Sequence, residues 1–182
     1  GLGLCNPEVA MDGSQDIAVS GEFEHISDKP RTLSEAPELH RRIDQLERAI
    51  MAIPAPEIAL THRFTPGMYF REIRVPAGSI FTSKIHKSEH PWVISAGVAS
   101  IWIDGHGWQV FRAPHTGVTK PGTRRIFLVH EDLVWTTFHA TNLTDPEEIE
   151  REIIEPHKEH IEGLVQPDIE QYLRQLEANK EI

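Results

Sequence analysis

The sequence predicts a mainly β domain, a sandwich or barrel, with a helix ahead of it and helical segments behind it. Three observations predict this. From about Thr61 to Thr141, β-prone runs recur at roughly ten-residue spacing, broken by turn residues. Ahead of them Leu39, Ile43, Leu46, Ile50 and Ile53 recur at alternating four- and three-residue steps, the pattern of an amphipathic helix. After Asn142 the chain turns acidic and regains helical spacing. The division is 1–36 a flexible acidic arm, 37–53 the helix, 54–143 the barrel and 144–182 an acidic helical extension.

Residues 1–36 are rich in Gly, Ser, Asp, Glu and Pro and carry no sustained period, the composition of an arm rather than a core. The helix then starts at Pro37 and is stopped by Pro54 and Pro56. Its apolar stripe suits either the domain's own surface or a short coiled-coil seam. The strand runs are Met68–Val75, Ser79–Ile85, Trp92–Ala96, Val98–Ile103, Trp108–Arg112, Thr116–Lys120, Arg125–His130 and Leu133–Ala140. Between them stand Pro76-Ala-Gly78, Gly97, Asp104-Gly105-His106-Gly107, Pro114, Pro121-Gly122 and Glu131-Asp132. Beyond the strands, Thr144-Asp-Pro-Glu147 is a capping signal, and Ile149, Ile153 and Ile154 form one apolar face until Pro156. A second helix is expected over 167–180, with Ile169, Tyr172, Leu173 and Leu176 on one side.

With 182 residues, 39% of them hydrophobic, the chain can bury one sizeable core. A single cysteine, Cys5, excludes an intrachain disulfide and a cysteine-based zinc site, which fits a reducing compartment. The net charge of −10 speaks against a nucleic-acid binder, and no apolar run is long enough to cross a membrane. A soluble, cytoplasmic protein is expected. The charge is uneven: residues 61–143 carry a balance of +4 between flanks of −6 and −8. Basic residues inside the β segment are placed to line a pocket for an anion.

The chemistry concentrates between Gly78 and Gly97. Gly78, five residues, Lys84-Ile85-His86, three residues, His90, six residues and Gly97 reproduce the frame of the first motif of the cupin superfamily, which this segment resembles. The resemblance implies a cupin-type jelly-roll barrel with an N-terminal helix and a C-terminal helical extension, its motif side chains pointing inward to a divalent metal. Two positions depart from the motif, since Lys84 replaces the first histidine and His90 the glutamate. Pro121-Gly122-Thr123-Arg124-Arg125 resembles the second motif in part, with Arg125 at its histidine position. By this correspondence the implied site is Lys84, His86, His90 and Arg125, a two-histidine site facing two cations, which suits carboxylate or phosphate.

His130 and His139 are the further candidate ligands. A two-residue hairpin turn at Glu131-Asp132 would pair Arg124 with His139 and put both on one face with His130, leaving Arg125 on the other. The motif correspondence and an inward His139 then conflict, unless a bulge shifts the register. Three imidazoles would suit Zn, Fe, Mn or Ni. His86-Lys-Ser-Glu89-His90 also matches the H-x-x-E-H pattern of inverzincin metallopeptidases, but Pro91 and the β-branched flanks oppose the helix that pattern needs.

Two functional readings follow. In the first, a metal on His86, His90 and either His139 or His130 faces a small anion oriented by Lys84, Arg124 or Arg125, with Trp135 in the pocket wall and Glu89 the candidate general base. Whether such a site turns over a substrate is left open. In the second, the barrel is a non-catalytic structural or assembly module, a homo-oligomer joined through its helical extensions. The segment from Met68 to about Pro156, with His130-Glu-Asp-Leu-Val-Trp135-Thr-Thr-Phe-His139, resembles uncharacterised cupin-like proteins of tailed bacteriophages. That resemblance implies a place in the host cytoplasm or the virion.

Overall fold

The structure is a computed structural model that describes residues 34–156 and position 174. Most of the acidic arm, Cys5, and the helix expected over 167–180 apart from position 174, lie outside the described residues. The element order is α1 (Pro37–Met51), β1 (Ala59–Thr65), β2 (Met68–Val75), β3 (Ile80–Thr82), β4 (His90–Ile103), β5 (Gly107–Arg112), β6 (His115–Thr119), β7 (Arg125–Ala140) and α2 (Pro146–Ile153). The fold is mainly β and antiparallel, with a helix at each end.

Two long strands make the barrel. The N-terminal half of β4 pairs with β6 and its C-terminal half with β5, while β7 pairs with β3 near its start and with β2 near its end. β4 and β7 also pair with each other along most of their length. Each therefore bends from one layer into the other, and the two layers close over Ile73, Val75, Trp92, Ile94, Ala99, Ile101, Phe127, Val129, Leu133 and Trp135.

The bend explains two differences from the sequence reading. Glu131-Asp132 is not a hairpin turn, because β7 runs through it as one strand of 16 residues. Likewise Gly97 interrupts no strand but lies among the register shifts between Ile94 and Ala99. With φ +90, and the carbonyl oxygen of Asp132 only 2.3 Å from where a Cβ would stand, position 97 admits glycine alone without displacement of the backbone. The net shift changes the side-chain phase of β4, so that Trp92 and Ile94 point inward before it and Ala99 and Ile101 after it. In β7 the phase is kept across the bend, and its odd-numbered residues other than the exposed Glu131 face the interior from Arg125 to His139.

α1 lies on the outside of the layer formed by β3, β7, β4 and β5. Its Ile43 and Leu46 pack against Trp102 and Ile126, with Leu39, Ile50, Ile80 and Trp108 around them. The stripe that could have made a coiled-coil seam packs on this protein's own barrel. α2 is capped by Asp145, whose carboxylate accepts from the amides of Glu147 and Glu148 at 2.8 and 3.0 Å. Ile149 and Ile153 then bury against Tyr69.

Candidate metal centre and its pocket

The inner face of the layer β1-β2-β7-β4-β6 can be read as cross-strand rows. Tyr69 stands opposite His139, Arg71 opposite Thr137 and Ile73 opposite Trp135, while Trp92 is opposite Thr137 and His90 opposite Thr119. Strand alternation thus delivers His90 and His139 to adjoining inward positions, their ring centroids 4.4 Å apart.

His86 arrives by another route. It lies between β3 and β4 in a segment held from two sides: Gly122 N donates to its carbonyl at 2.9 Å, and the chain after α2 runs antiparallel to it. Lys87 N donates to Ile153 O and Glu155 N to Ile85 O, each at 2.8 Å. The His86 ring is thereby set 4.2 Å from His90 and 5.1 Å from His139. The ligand-capable nitrogens of the three lie within 4.8 Å of one another.

The donor chemistry fits a divalent cation. Burial, and after it the neighbouring imidazoles, Arg71 and Arg125, push His86 down to about 2, and burial, His90 and Arg71 push His139 down to about 3. Burial also lowers His90. All three are neutral near pH 7, the state in which imidazole ligates. His86 Nδ1 and His139 Nδ1 are buried without a hydrogen-bond partner among the described residues, which is costly unless something else engages them. His90 Nδ1 donates to Ser88 O at 3.2 Å, which fixes the tautomer and leaves Nε2 with its lone pair. His139 Nε2 is hydrogen-bonded with Thr137 Oγ1 at 3.2 Å, and in the tautomer in which Nε2–H is the donor, Nδ1 carries the free lone pair.

A cavity of about 470 Å³ opens in front of the triad. Its walls are largely apolar, with Leu60, Ile73, Phe81, Phe127 and Trp135 on the barrel side and Ile149 and Ile153 on the α2 side. Phe81 stacks on Phe127 at 4.4 Å, and Trp135 meets Phe127 edge-on at 5.1 Å. Trp135 is also stacked on Trp92 at 4.4 Å. Tyr69, buried beside His139, holds a 2.7 Å hydrogen bond with His62 Nδ1, and burial raises its phenol.

The sequence-predicted residues divide clearly. His86, His90, His139, Arg125 and Trp135 line this cavity together. The opposition between Arg125 and His139 dissolves with the hairpin, since in one continuous strand they are an even number of residues apart and share a face. Lys84 lines the mouth, where its ammonium is ion-paired with Glu150 of α2.

His130 stands elsewhere, exposed and 2.7 Å from Ser100 Oγ, because its even position on β7 points outward. Arg124 is outward for the same reason and is buried under α1, 2.6 Å from Asp44 and 2.9 Å from Glu47, so it serves the helix and not a ligand. Glu89 is exposed, paired with Lys120 at 2.7 Å, and does not line the cavity. Arg71, Tyr69 and His62 were missed. The available signal was phase, since Tyr69, Arg71 and Ile73 alternate with Phe70, Glu72 and Arg74 along β2.

Neither a family model nor a curated protein matches the sequence. Among solved structures, the chain is similar to a cupin-domain portion of an XRE family transcriptional regulator from Enterobacter cloacae, at 13% identity over 46% of this chain and 95% of that one, with a TM-score of 0.39. It is similar to an RmlC-like cupin family protein with a double-stranded β-helix fold from Methanocaldococcus jannaschii, at 11% identity over 53% and 88%, TM-score 0.41. A cupin-2 domain containing protein from Shewanella frigidimarina matches at 10% identity over 50% and 88%, TM-score 0.40.

Proposed function

We propose that this cupin-like barrel binds one divalent metal ion on His86, His90 and His139 and takes a small anionic ligand in the cavity before it. One observation carries the reading: three neutral imidazoles from separate parts of the fold converge, and two of their buried nitrogens lack a partner among the described residues. Three imidazoles suit Zn, Fe, Mn or Ni, and such an ion, when bound, supplies a Lewis acid able to polarise an oxygen of the ligand. The chain's own contribution is to keep the imidazoles deprotonated, to exclude water with the α2 isoleucines, and to present Arg71 and Arg125 to negative charge.

The test is metal titration of untagged protein stripped with chelator, followed by calorimetry and elemental analysis. About one equivalent of Zn or Co is expected, with affinity reduced at least about tenfold in His86→Ala, His90→Ala and His139→Ala. Uptake that is negligible, or unchanged in all three variants, overturns the reading.

The second reading, an assembly module of phage type, draws on the exposed apolar residues Leu60 and Phe64, which share one face of β1. A monomer by light scattering on the full chain overturns the homo-oligomeric assembly reading and spares the first, whose three imidazoles all come from one chain.

A further inference from the structure

We infer that the ligand of the cavity is an organic monocarboxylate with an apolar body, its carboxylate on Arg125 and its body against Phe81, Phe127 and Trp135. The inference rests on the proposal that the cavity takes an anion, and names its class. It starts from two adjacent arginines on opposite faces of β7. Arg124, 4% exposed, meets two carboxylates on its own chain. Arg125, 8% exposed, meets none among the described residues; its side chain donates one hydrogen bond, to Thr119 Oγ1 at 2.7 Å. A buried guanidinium needs a counter-charge and has five donors to satisfy. The side chain lines the cavity, where an acid from solution can reach it.

Geometry narrows the acid further. Thr119 is the cross-strand partner of His90, which puts the Arg125 guanidinium beside the histidine triad. A carboxylate matches the guanidinium fork with two parallel hydrogen bonds and leaves its substituent free to extend along the cavity. That direction is lined by the Phe81–Phe127 stack, Trp135 and Ile73, and closed by Ile149 and Ile153. Inorganic phosphate would leave these walls wet. An apolar body covers them, and the cavity has the size of small-molecule sites. Arg71, the other unpaired cation among the described lining residues, is on the exposed side, where water solvates it, so one negative charge is enough.

The experiment is calorimetric titration of the full chain, metal-free and zinc-loaded, with benzoate, cyclohexanecarboxylate, acetate, benzyl alcohol and inorganic phosphate. Benzoate or cyclohexanecarboxylate is expected to bind at least about tenfold tighter than the other three, and to lose at least about tenfold in Arg125→Gln and Arg125→Lys. The rank order of probes on the unaltered protein needs no variant, which keeps the inference testable if Arg125 substitutions unfold. Phosphate binding as tightly as benzoate overturns the class while sparing the anion proposal. Benzyl alcohol binding as tightly as benzoate overturns the role of Arg125. Absence of binding by all probes, with metal uptake intact, overturns the inference and leaves the metal centre standing.

Discussion

Arg124 Nη2 stands 2.6 Å from Asp44 Oδ1, both side chains almost wholly buried, and this contact fastens α1 to the outer face of the barrel. Glu47 completes it at 2.9 Å and accepts a further hydrogen bond from Thr82, while the other terminal nitrogen of Arg124 donates to His40 O at 3.2 Å. Removing the cation takes the Arg124 charge away from the buried Asp44 carboxylate and from Glu47. Arg124→Ala is expected to cost about 3–5 kcal/mol in urea denaturation, with metal affinity unchanged within about twofold. A variant of normal stability that loses anion binding would return Arg124 to the ligand side.

Gly97→Ala is expected to cost about 3 kcal/mol. The residue must hold φ +90, and its Cβ would meet the Asp132 carbonyl, a backbone atom that cannot rotate away. Chemical denaturation measures the loss, and a variant within about 0.5 kcal/mol of the parent would show that the two long strands bend independently.

Metal-free protein is expected to lose stability on mild acidification. The histidines of the triad titrate in the folded state below their ordinary value of 6.5, at about 2 for His86 and about 3 for His139. Protons therefore bind the unfolded chain preferentially in the interval between. Their stabilising effect is complete above about pH 7 and declines as pH falls through 6.5 toward the folded values, each imidazole adding a slope of up to about 1.4 kcal/mol per pH unit. Melting curves between pH 7 and pH 5, above the main carboxylate range, measure it. His86→Gln should flatten the profile, and a parent profile already flat in that window contradicts neutral buried imidazoles.

What the sequence made legible followed local periodicity. The amphipathic spacing of Ile43 and Leu46, the alternation in Met68–Val75 and the Asp145 cap each appear where local rules place them. The Gly78-to-Gly97 frame singled out His86 and His90, and the structure sets them beside His139. What local rules did not reach is continuity. Glu131-Asp132 carries turn chemistry, yet pairing of β7 with β4 on either side of it keeps the strand running. That tertiary pairing alone decides that Arg125 and His139 share a face and that His130 does not. Arg71 stayed hidden because an arginine among Glu72 and Arg74 reads as surface charge until the strand's phase is fixed.

Ile149→Ala is expected to destabilise by about 2–4 kcal/mol, because the residue is 1% exposed and shares its cluster with Tyr69 and Ile153. Lys84→Ala, by contrast, should change stability by no more than about 1 kcal/mol, since the Lys84–Glu150 pair is solvent-exposed. Hydrogen exchange supplies the local readout. Faster exchange at Lys87 N and Glu155 N in Ile149→Ala is expected, and unaltered protection would show that α2 does not support the His86 segment.

The antiparallel pairing of His86 with Ile154 bears on whether this centre can be transplanted. His90 and His139 would travel with the strands that carry them, so a graft of residues 59–141 into another scaffold would bring two well-seated imidazoles. The third would come on a stretch stripped of its outer rail, Ile153 to Glu155. Portability of the site therefore ends where the barrel does, and a designer borrowing it has to borrow α2 as well.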